Sequence, residues 1–412
     1  MVWRGYSALY PRSLYRIKSV NAVLEGLIGG LFNGISIGAV LLIVALGLAI
    51  VFGLMGVINL AHGELMMFGA YTTFVVQNVA KSMGGIAPDL YIFAALPLAF
   101  LVAALLGLLL ERTVIRYLYG RPLETLLATW GVSLILIQFI RSVSLPMVIG
   151  LVIFAVLFLV GRWVLTRYTD WERIESWANP LFLGLSAAIA GVSWVLIGNG
   201  TSAAFSRPWF STRNVDVTPP SWLRGGVTLG NTLQFPSARL FIIALTILCL
   251  VAVYWFLNGT AWGLRIRAVT QNRGMSACLG IPTGQVDAIT FALGSGLAGI
   301  AGCAVTLLGS VGPNLGANYI VDAFMVVVVG GVGKLVGSIV AALVIGVTTY
   351  LVGSGTMALL FPPAGFFQPA IDFFTFFATT SMAKVMVFAL IIAFLQVRPA
   401  GLFPPKGRSV EL

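Results

Sequence analysis

The sequence predicts an all-α fold, a polytopic bundle of transmembrane helices, and three observations predict it. Charged side chains make up 9% of the 412 residues, where a soluble domain carries roughly 25%. Mean hydropathy is +1.01. Apolar runs recur from Val20 to Val397, so the whole chain, not one anchor, is built for a bilayer. The runs are continuous, and about twice as long as the roughly ten-residue alternating segments of a transmembrane barrel. A soluble enzyme, a disordered chain and a single-pass receptor are thereby excluded.

The runs fall near 22–52, 64–80, 91–110, 123–141, 146–161, 181–198, 239–257, 285–308, 320–333, 335–353 and 383–397. A span needs about 20 residues. The first run is over-long, and those at 320–333 and 383–397 are short. The expectation is one transmembrane domain over 1–412 with about ten or eleven membrane segments, some of them broken, short or re-entrant. Nothing in the chain is large enough to form a separate soluble domain.

Basic residues set the orientation. The net charge is +11, from 24 Lys and Arg against 13 Asp and Glu. The cations are dispersed between apolar runs, with no stripe that would track a phosphate backbone, so nucleic acid is not an expected partner. Arg112, Arg116 and Arg121 share one loop, Arg162, Arg167 and Arg173 a second, and Arg265, Arg267 and Arg273 a third. Arg398, Lys406 and Arg408 lie in the tail. The alternate loops hold Lys81, Arg141, Arg207, Arg213, Arg224, Arg239 and Lys384, more thinly spread. The first four regions are therefore cytoplasmic, and the long 199–238 loop is extracytoplasmic. Pro208, Pro219, Pro220 and Pro236, with Trp209, Phe210 and Trp222, suit that loop to ordered turns at the membrane interface.

The N-terminal end conflicts with this scheme. Counting back places it outside, yet it carries Arg4, Arg12, Arg16 and Lys18. Either the 22–52 run hides an extra turn-back, or the N-terminal segment lies along a membrane surface. The following run lacks a small-residue cleavage site and is too long for a signal peptide, so it reads as retained.

Small residues recur every four positions at Gly26, Gly30, Gly34 and Gly38, at Gly333, Gly337 and Ala341, and at Gly294, Ala298 and Gly302. That spacing bares one helix face and lets backbones approach closely. Cys249, Cys278 and Cys303 are far apart, and there is one histidine. No metal site, disulfide framework or cofactor is expected.

Three segments carry candidate chemistry. Phe52 to Glu64 places Asn59, His62 and Glu64 between two apolar runs, with Gly53, Gly56 and Gly63 among them. One reading is a broken helix lining a path, because ionisable groups at membrane depth are costly. The other is that His62 and Glu64 satisfy each other or cap a helix end. Gly330-Gly-Val-Gly-Lys334 resembles part of a phosphate loop but has Val328 and Leu335 where glycine and a hydroxyl are required. It therefore holds no nucleotide, and its glycines turn a short membrane segment back on itself. Gly263 to Pro282 carries three Arg, no acidic residue and a Gly280-Ile-Pro282 helix stop. It reads either as a positive-inside anchor or as a short helix that docks on a cytoplasmic partner.

Ala268 to Gly284 with Phe291 to Gly299, Ile37 to Tyr71, and Gly309 to Gly316 with Phe324 to Lys334 closely resemble the permeases of branched-chain amino acid and urea ABC importers. Within that family, Thr270-Gln-Asn-Arg273, Gly280-Ile-Pro-Thr283 and Phe291-Ala-Leu-Gly-Ser-Gly296 are most similar to the B-type urea permease. The likeness covers roughly 20–142 and 212–408. It implies a permease without catalysis of its own, in a bacterial inner membrane. It also implies a second permease subunit as heterodimer partner, two cytoplasmic ATPases and an extracytoplasmic substrate-binding protein. The 265–283 loop then becomes the ATPase-coupling segment, with Arg265, Arg267, Asn272, Arg273, Met275, Gly280 and Pro282 as its candidate residues. The 199–238 loop becomes a docking surface for the binding protein. One departure is an insertion near 146–198, which reads as a peripheral, lipid-facing helical hairpin.

The expectation is therefore an alternating-access permease for a small polar solute, urea first. Urea is neutral and needs no charged clamp. Asn33, Ser36, Asn59, His62, Glu64 and Asn314 are the candidate path groups. An amino-acid permease of the same architecture is the alternative. A self-contained channel or secondary carrier is the alternative from another class, disfavoured because no proton or ion relay is visible.

Overall fold

The computed structural model describes residues 12–168, 171–200, 209–210, 214–229, 233–361 and 367–403. Arg4, Arg207, Pro208, Arg213, Lys406 and Arg408, used above, lie outside the described residues. Fourteen α-helices carry the described chain. The first six are α1 Arg12–Met55, α2 His62–Met83, α3 Ala87–Thr113, α4 Pro122–Ser142, α5 Leu145–Tyr168 and α6 Trp171–Gly200. A two-stranded antiparallel hairpin, β1 Gly226–Leu229 and β2 Leu233–Pro236, sets Val227 opposite Phe235. There follow α7 Ser237–Gly259, α8 Ala261–Gln271, α9 Arg273–Cys278 and α10 Thr283–Thr306. The last four are α11 Leu315–Gly330, α12 Leu335–Gly353, α13 Gln368–Phe376 and α14 Thr380–Val397.

Each apolar run falls on one helix, and several helices extend beyond their run by up to ten residues, as an all-α membrane bundle allows. Fewer than ten helices satisfy the length and apolarity of a full span. Six do so among the described residues, and the pair formed by α13 and α14, bent by 106°, makes a seventh. The shortfall has physical causes. α2 carries Thr72, Thr73, Gln77, Asn78 and Lys81. α11 is 16 residues long, about 24 Å at 1.5 Å per residue. The apolar stretches Pro146–Gly161 and Gly184–Ile197 of α5 and α6 are also short. α1 runs unbroken through the 22–52 run, so no extra turn-back is hidden there.

The chain divides into two compact units. The larger comprises 1–133 and 216–412, with α1 and α10 at its centre. Glycine brings these helices to backbone contact. A Cβ on Gly47 would collide with Gly294, and one on Gly69 with Gly299. Gly34 and Gly38 lie against Val347, Ala342 and Leu343 of α12, and Gly302 lies against Met66 and Ala70 of α2. The four-residue spacing in the sequence is thus a close-packing seam, where van der Waals contact replaces the hydrophobic drive absent in lipid. Gly330 and Gly337 meet across the turn joining α11 to α12, so the glycine-rich segment does reverse the chain.

The smaller unit spans Leu134–Val215. Within it α5 and α6 form an antiparallel hairpin. Phe154 stacks on Phe158 at 5.8 Å, Phe158 meets Phe182 at 6.4 Å, and Gly161 leaves room for the Phe182 ring. Leu151, Val156 and Leu159 on one helix and Leu185, Ile189 and Val192 on the other are exposed.

Candidate functional site

α1 ends at Met55 because Gly56 adopts φ 69°, a left-handed conformation that a side chain resists. The connection to α2 then runs through the interior: Val57, Asn59 and Ala61 are buried. Irregular backbone survives at membrane depth only where protein satisfies it. The Asn59 Oδ1 accepts from the Ala61 N–H at 3.1 Å. The Thr129 hydroxyl of α4 accepts from the Leu60 N–H at 3.2 Å and donates to the Ile58 carbonyl at 3.4 Å.

α2 therefore starts inside the bundle. The His62 ring sits beside Gly47, eight residues or about 12 Å before the end of α1. Its Nε2 lies 3.2 Å from the Val44 carbonyl. Glu64 is equally buried and its Oε1 accepts from the Ser133 hydroxyl at 3.0 Å. Its other oxygen lies against Gly316 at the start of α11. His62 and Glu64 thus take separate partners, neither bonding the other. The Asn59 Nδ2, His62 Nδ1, Glu64 Oε2 and Ser36 Oγ are buried without a hydrogen-bond partner. Gly63 and Gly316 touch through their backbones, so the first turns of α2 and α11 meet within the membrane.

The other candidate path groups are spread out. Asn33 donates to the Tyr350 hydroxyl on α12 at 2.9 Å. Ser36 is one turn further along α1. Asn314 is exposed and immediately precedes α11, near the Glu64 junction. The structure therefore groups Asn59, His62, Glu64 and the start of α11, and leaves Asn33 and Ser36 two to three turns away.

The 265–283 segment folds as two short helices with well-defined ends. The Thr260 hydroxyl caps α8 by accepting from the Gly263 N–H at 3.0 Å. Asn272 breaks the helix and caps α9, accepting from the Met275 N–H at 2.9 Å. Gly280, at φ 79°, ends α9 with paired bonds from Gly280 N–H to Ala277 and from Ile281 N–H to Ser276, a Schellman stop. Pro282 then leads into α10.

Its arginines divide in role. The Arg273 guanidinium bonds the buried Asp287 carboxylate of α10 at 2.5 Å and lies 4.8 Å over the Tyr119 ring. Burial, with Asp287 and Glu111 nearby, holds the Tyr119 phenol protonated by raising its pKa far above the ordinary value. Arg267 donates to the Leu257 carbonyl and the Asn258 side chain at 2.7 and 2.6 Å. Arg265 lies over the Trp262 ring at 4.8 Å. All three are tied to their own subunit. Beside them Leu264, Met275 and Leu279 present apolar side chains to the outside, with Gln271 also exposed.

The segment from Thr218 to Trp222 is strapped down. Gln77 donates to the Thr218 carbonyl and hydroxyl, and the Tyr91 hydroxyl to the same carbonyl. The Ser221 N–H and the Trp222 indole bond Asp89 at 2.9 and 2.8 Å, and Trp222 packs between Phe93 and Phe241.

Sequence reasoning missed Ser133, Thr129, Asp287 and an ion pair between Lys384 and Asp322 at 2.7 Å. Asp287 and Asp322 were findable, being the carboxylates within the 285–308 and 320–333 runs. Among the described residues no cluster of His, Cys, Asp and Glu could hold a metal ion.

A multi-pass helical bundle with a polar break buried inside it and a capped pair of short helices on one loop has the form of a membrane transport subunit. The family described as "Branched-chain amino acid transport system / permease component" matches residues 30–395, and the chain belongs to it. It is 24% identical over 380 residues to the high-affinity branched-chain amino acid transport system permease protein LivH of Salmonella typhimurium, covering 90% of this chain and 94% of that one. It is 24% identical over 318 residues to BraD of Pseudomonas aeruginosa, a permease of the same description, covering 77% and 83%. The ribose import permease RbsC of Escherichia coli K12 is 28% identical over 186 residues, covering 40% of this chain and 57% of that one. No solved structure matches the chain.

Proposed function

We propose that the chain is the membrane-spanning subunit of an ATP-driven importer of branched-chain amino acids in a bacterial inner membrane. The observation that carries this is the end-to-end likeness to LivH, across 94% of that relative, within a family matched over 30–395. Urea, which the motifs near Arg273 and Phe291 favoured, has no such support and yields to the amino-acid reading.

The working complex adds a second permease, two cytoplasmic ATPases and an extracytoplasmic binding protein. Exposed Met275, Leu279 and Leu264 face the ATPase. ATPase closure moves α8 and α9, and the Arg273–Asp287 pair passes that displacement to α10 as a rigid-body shift. α10 is in backbone contact with α1, α2 and α3, so the core of the bundle moves with it. The 199–238 loop, strapped down at Thr218, Ser221 and Trp222, receives the binding protein. The polar break at Asn59 to Glu64 lies where the helices must part.

The test is uptake of labelled leucine, with urea as competitor, by cells that lack other carriers and express the permease with its partners. Leucine uptake that needs ATPase activity and ignores excess urea is the expected result. Competition by urea reverses the substrate assignment. Uptake by the purified chain alone in liposomes replaces the importer reading with that of a channel or carrier.

A further inference from the structure

Asn314, Asn318 and Asp322 follow one another at intervals of four residues along one face of the start of α11, Asn314 standing immediately before its first residue. Asn314 and Asn318 are exposed and Asp322 is buried. Lys384 of α14 reaches this face, donating to the Asp322 carboxylate at 2.7 Å and the Asn318 carbonyl at 3.3 Å. Its side chain keeps 35% of its surface exposed. The far end of α11 turns back at Gly330 and Gly331, where Phe403 lies against it. Asp322 is eight residues before Gly330, about 12 Å along the helix, at the middle of α11. A polar, partly exposed stripe on a helix of a membrane bundle is costly against hydrocarbon and suits a polar space instead.

Further along, the same two helices, with α12, line an apolar cavity of about 310 Å³. Val329 comes from α11, two turns beyond Asp322, and Val387 from α14, one turn beyond Lys384. Val344 of α12 with Leu390 and Ile391 of α14 complete much of its wall. One carboxylate, one ammonium and an adjoining aliphatic cavity together mirror the parts of an α-amino acid with a branched side chain.

We propose that this α11–α14 face is a substrate subsite. Asp322 takes the ammonium and Lys384 the carboxylate of a zwitterionic α-amino acid, and the cavity takes its aliphatic side chain. Each protein charge then exchanges its partner for the substrate's opposite charge, so no unpaired charge is left in the membrane. This assignment rests on the amino-acid reading above and adds the residues that hold the substrate.

Photo-leucine, the diazirine analogue of leucine, tests it in proteoliposomes holding the whole complex with its ATPases and binding protein. Irradiation during transport, followed by peptide mass spectrometry, maps the contact. The expected label falls on α11, α12 and α14 around Val329, Val344 and Val387. K384M and D322N each lower that label about tenfold while the partner subunits still copurify. Wild-type labelling in both variants overturns the subsite, as does label confined to other helices or absent while uptake proceeds. Where a single variant fails to assemble, D322K/K384D keeps the pair with its charges exchanged. Loss of label in that assembled protein supports the subsite, and retention overturns it. A wild-type complex that takes up no leucine instead overturns the amino-acid reading, and this subsite with it.

Discussion

Arg273 shows how one side chain can serve an anchor and a lever together. Its charge is spent on Asp287 and Tyr119, which ties α9 to α10 rather than offering a cation to a partner. Arg273→Ala leaves Asp287 buried and unpaired, and it is predicted to lower transport per ATP hydrolysed by tenfold or more. ATP turnover and subunit copurification should persist, and both are measurable on the purified complex; unchanged coupling would remove Arg273 from the transmission path. Arg273→Lys restores a cation but neither the guanidinium geometry nor the stacking, so partial coupling is expected. Ser133→Ala tests the buried cluster differently. It strips Glu64 of its hydrogen-bond donor and should cost about 1–3 kcal/mol, read as lower thermal stability in detergent. Glu64→Gln in the same background replaces the carboxyl with an amide that cannot ionise and should recover much of that loss.

At the scale of elements, short helices do the specialised tasks and long ones hold the frame. The Gly280 stop fixes the length of α9. Gly280→Val places a β-branched residue at φ 79°, a conformation costing on the order of 1–3 kcal/mol. It should fray α9 and reduce ATPase copurification without preventing membrane insertion. The α5–α6 hairpin is apolar on its outward faces and forms its own compact unit. Deleting 146–198 is therefore expected to leave leucine uptake within about twofold of the full chain. Complete loss of uptake by a normally inserted deletion protein would show that the hairpin belongs to the machinery.

For the whole molecule, the glycine seam decides how the helices assemble. Gly63 and Gly316 touch where the first turns of α2 and α11 meet, joining two helices far apart in sequence. Gly63→Ala inserts a methyl group into a backbone contact, where overpacking typically costs 1–3 kcal/mol, and the seam offers no flexible neighbour to yield. The predicted outcome is a lower melting temperature and reduced yield of the folded subunit, measured by fluorescence-detected chromatography. Gly29→Ala, at a position where a Cβ meets nothing within 4 Å, is the matched control and should behave as wild type.

The sequence by itself determined the class. Low charge, recurrent apolar runs and small residues every fourth position require an all-α bundle, because lipid offers the backbone no hydrogen bonds and the helices no hydrophobic drive. The breaks at Gly56 and Gly280 were also legible, since glycine acts locally, whereas the Asn272 cap that splits the loop into two helices was not. Tertiary structure alone decided the pairings: His62 with Val44, Glu64 with Ser133, Arg273 with Asp287, and Lys384 with Asp322. Periodicity states which face of a helix is polar but not which helix meets it. That choice depends on how backbones pack along the seam, so His62 and Glu64, neighbours in sequence, turn to different partners. The exposed stripe on α11 follows the same rule, for its meaning comes from the lysine that α14 brings across from sixty-two residues away.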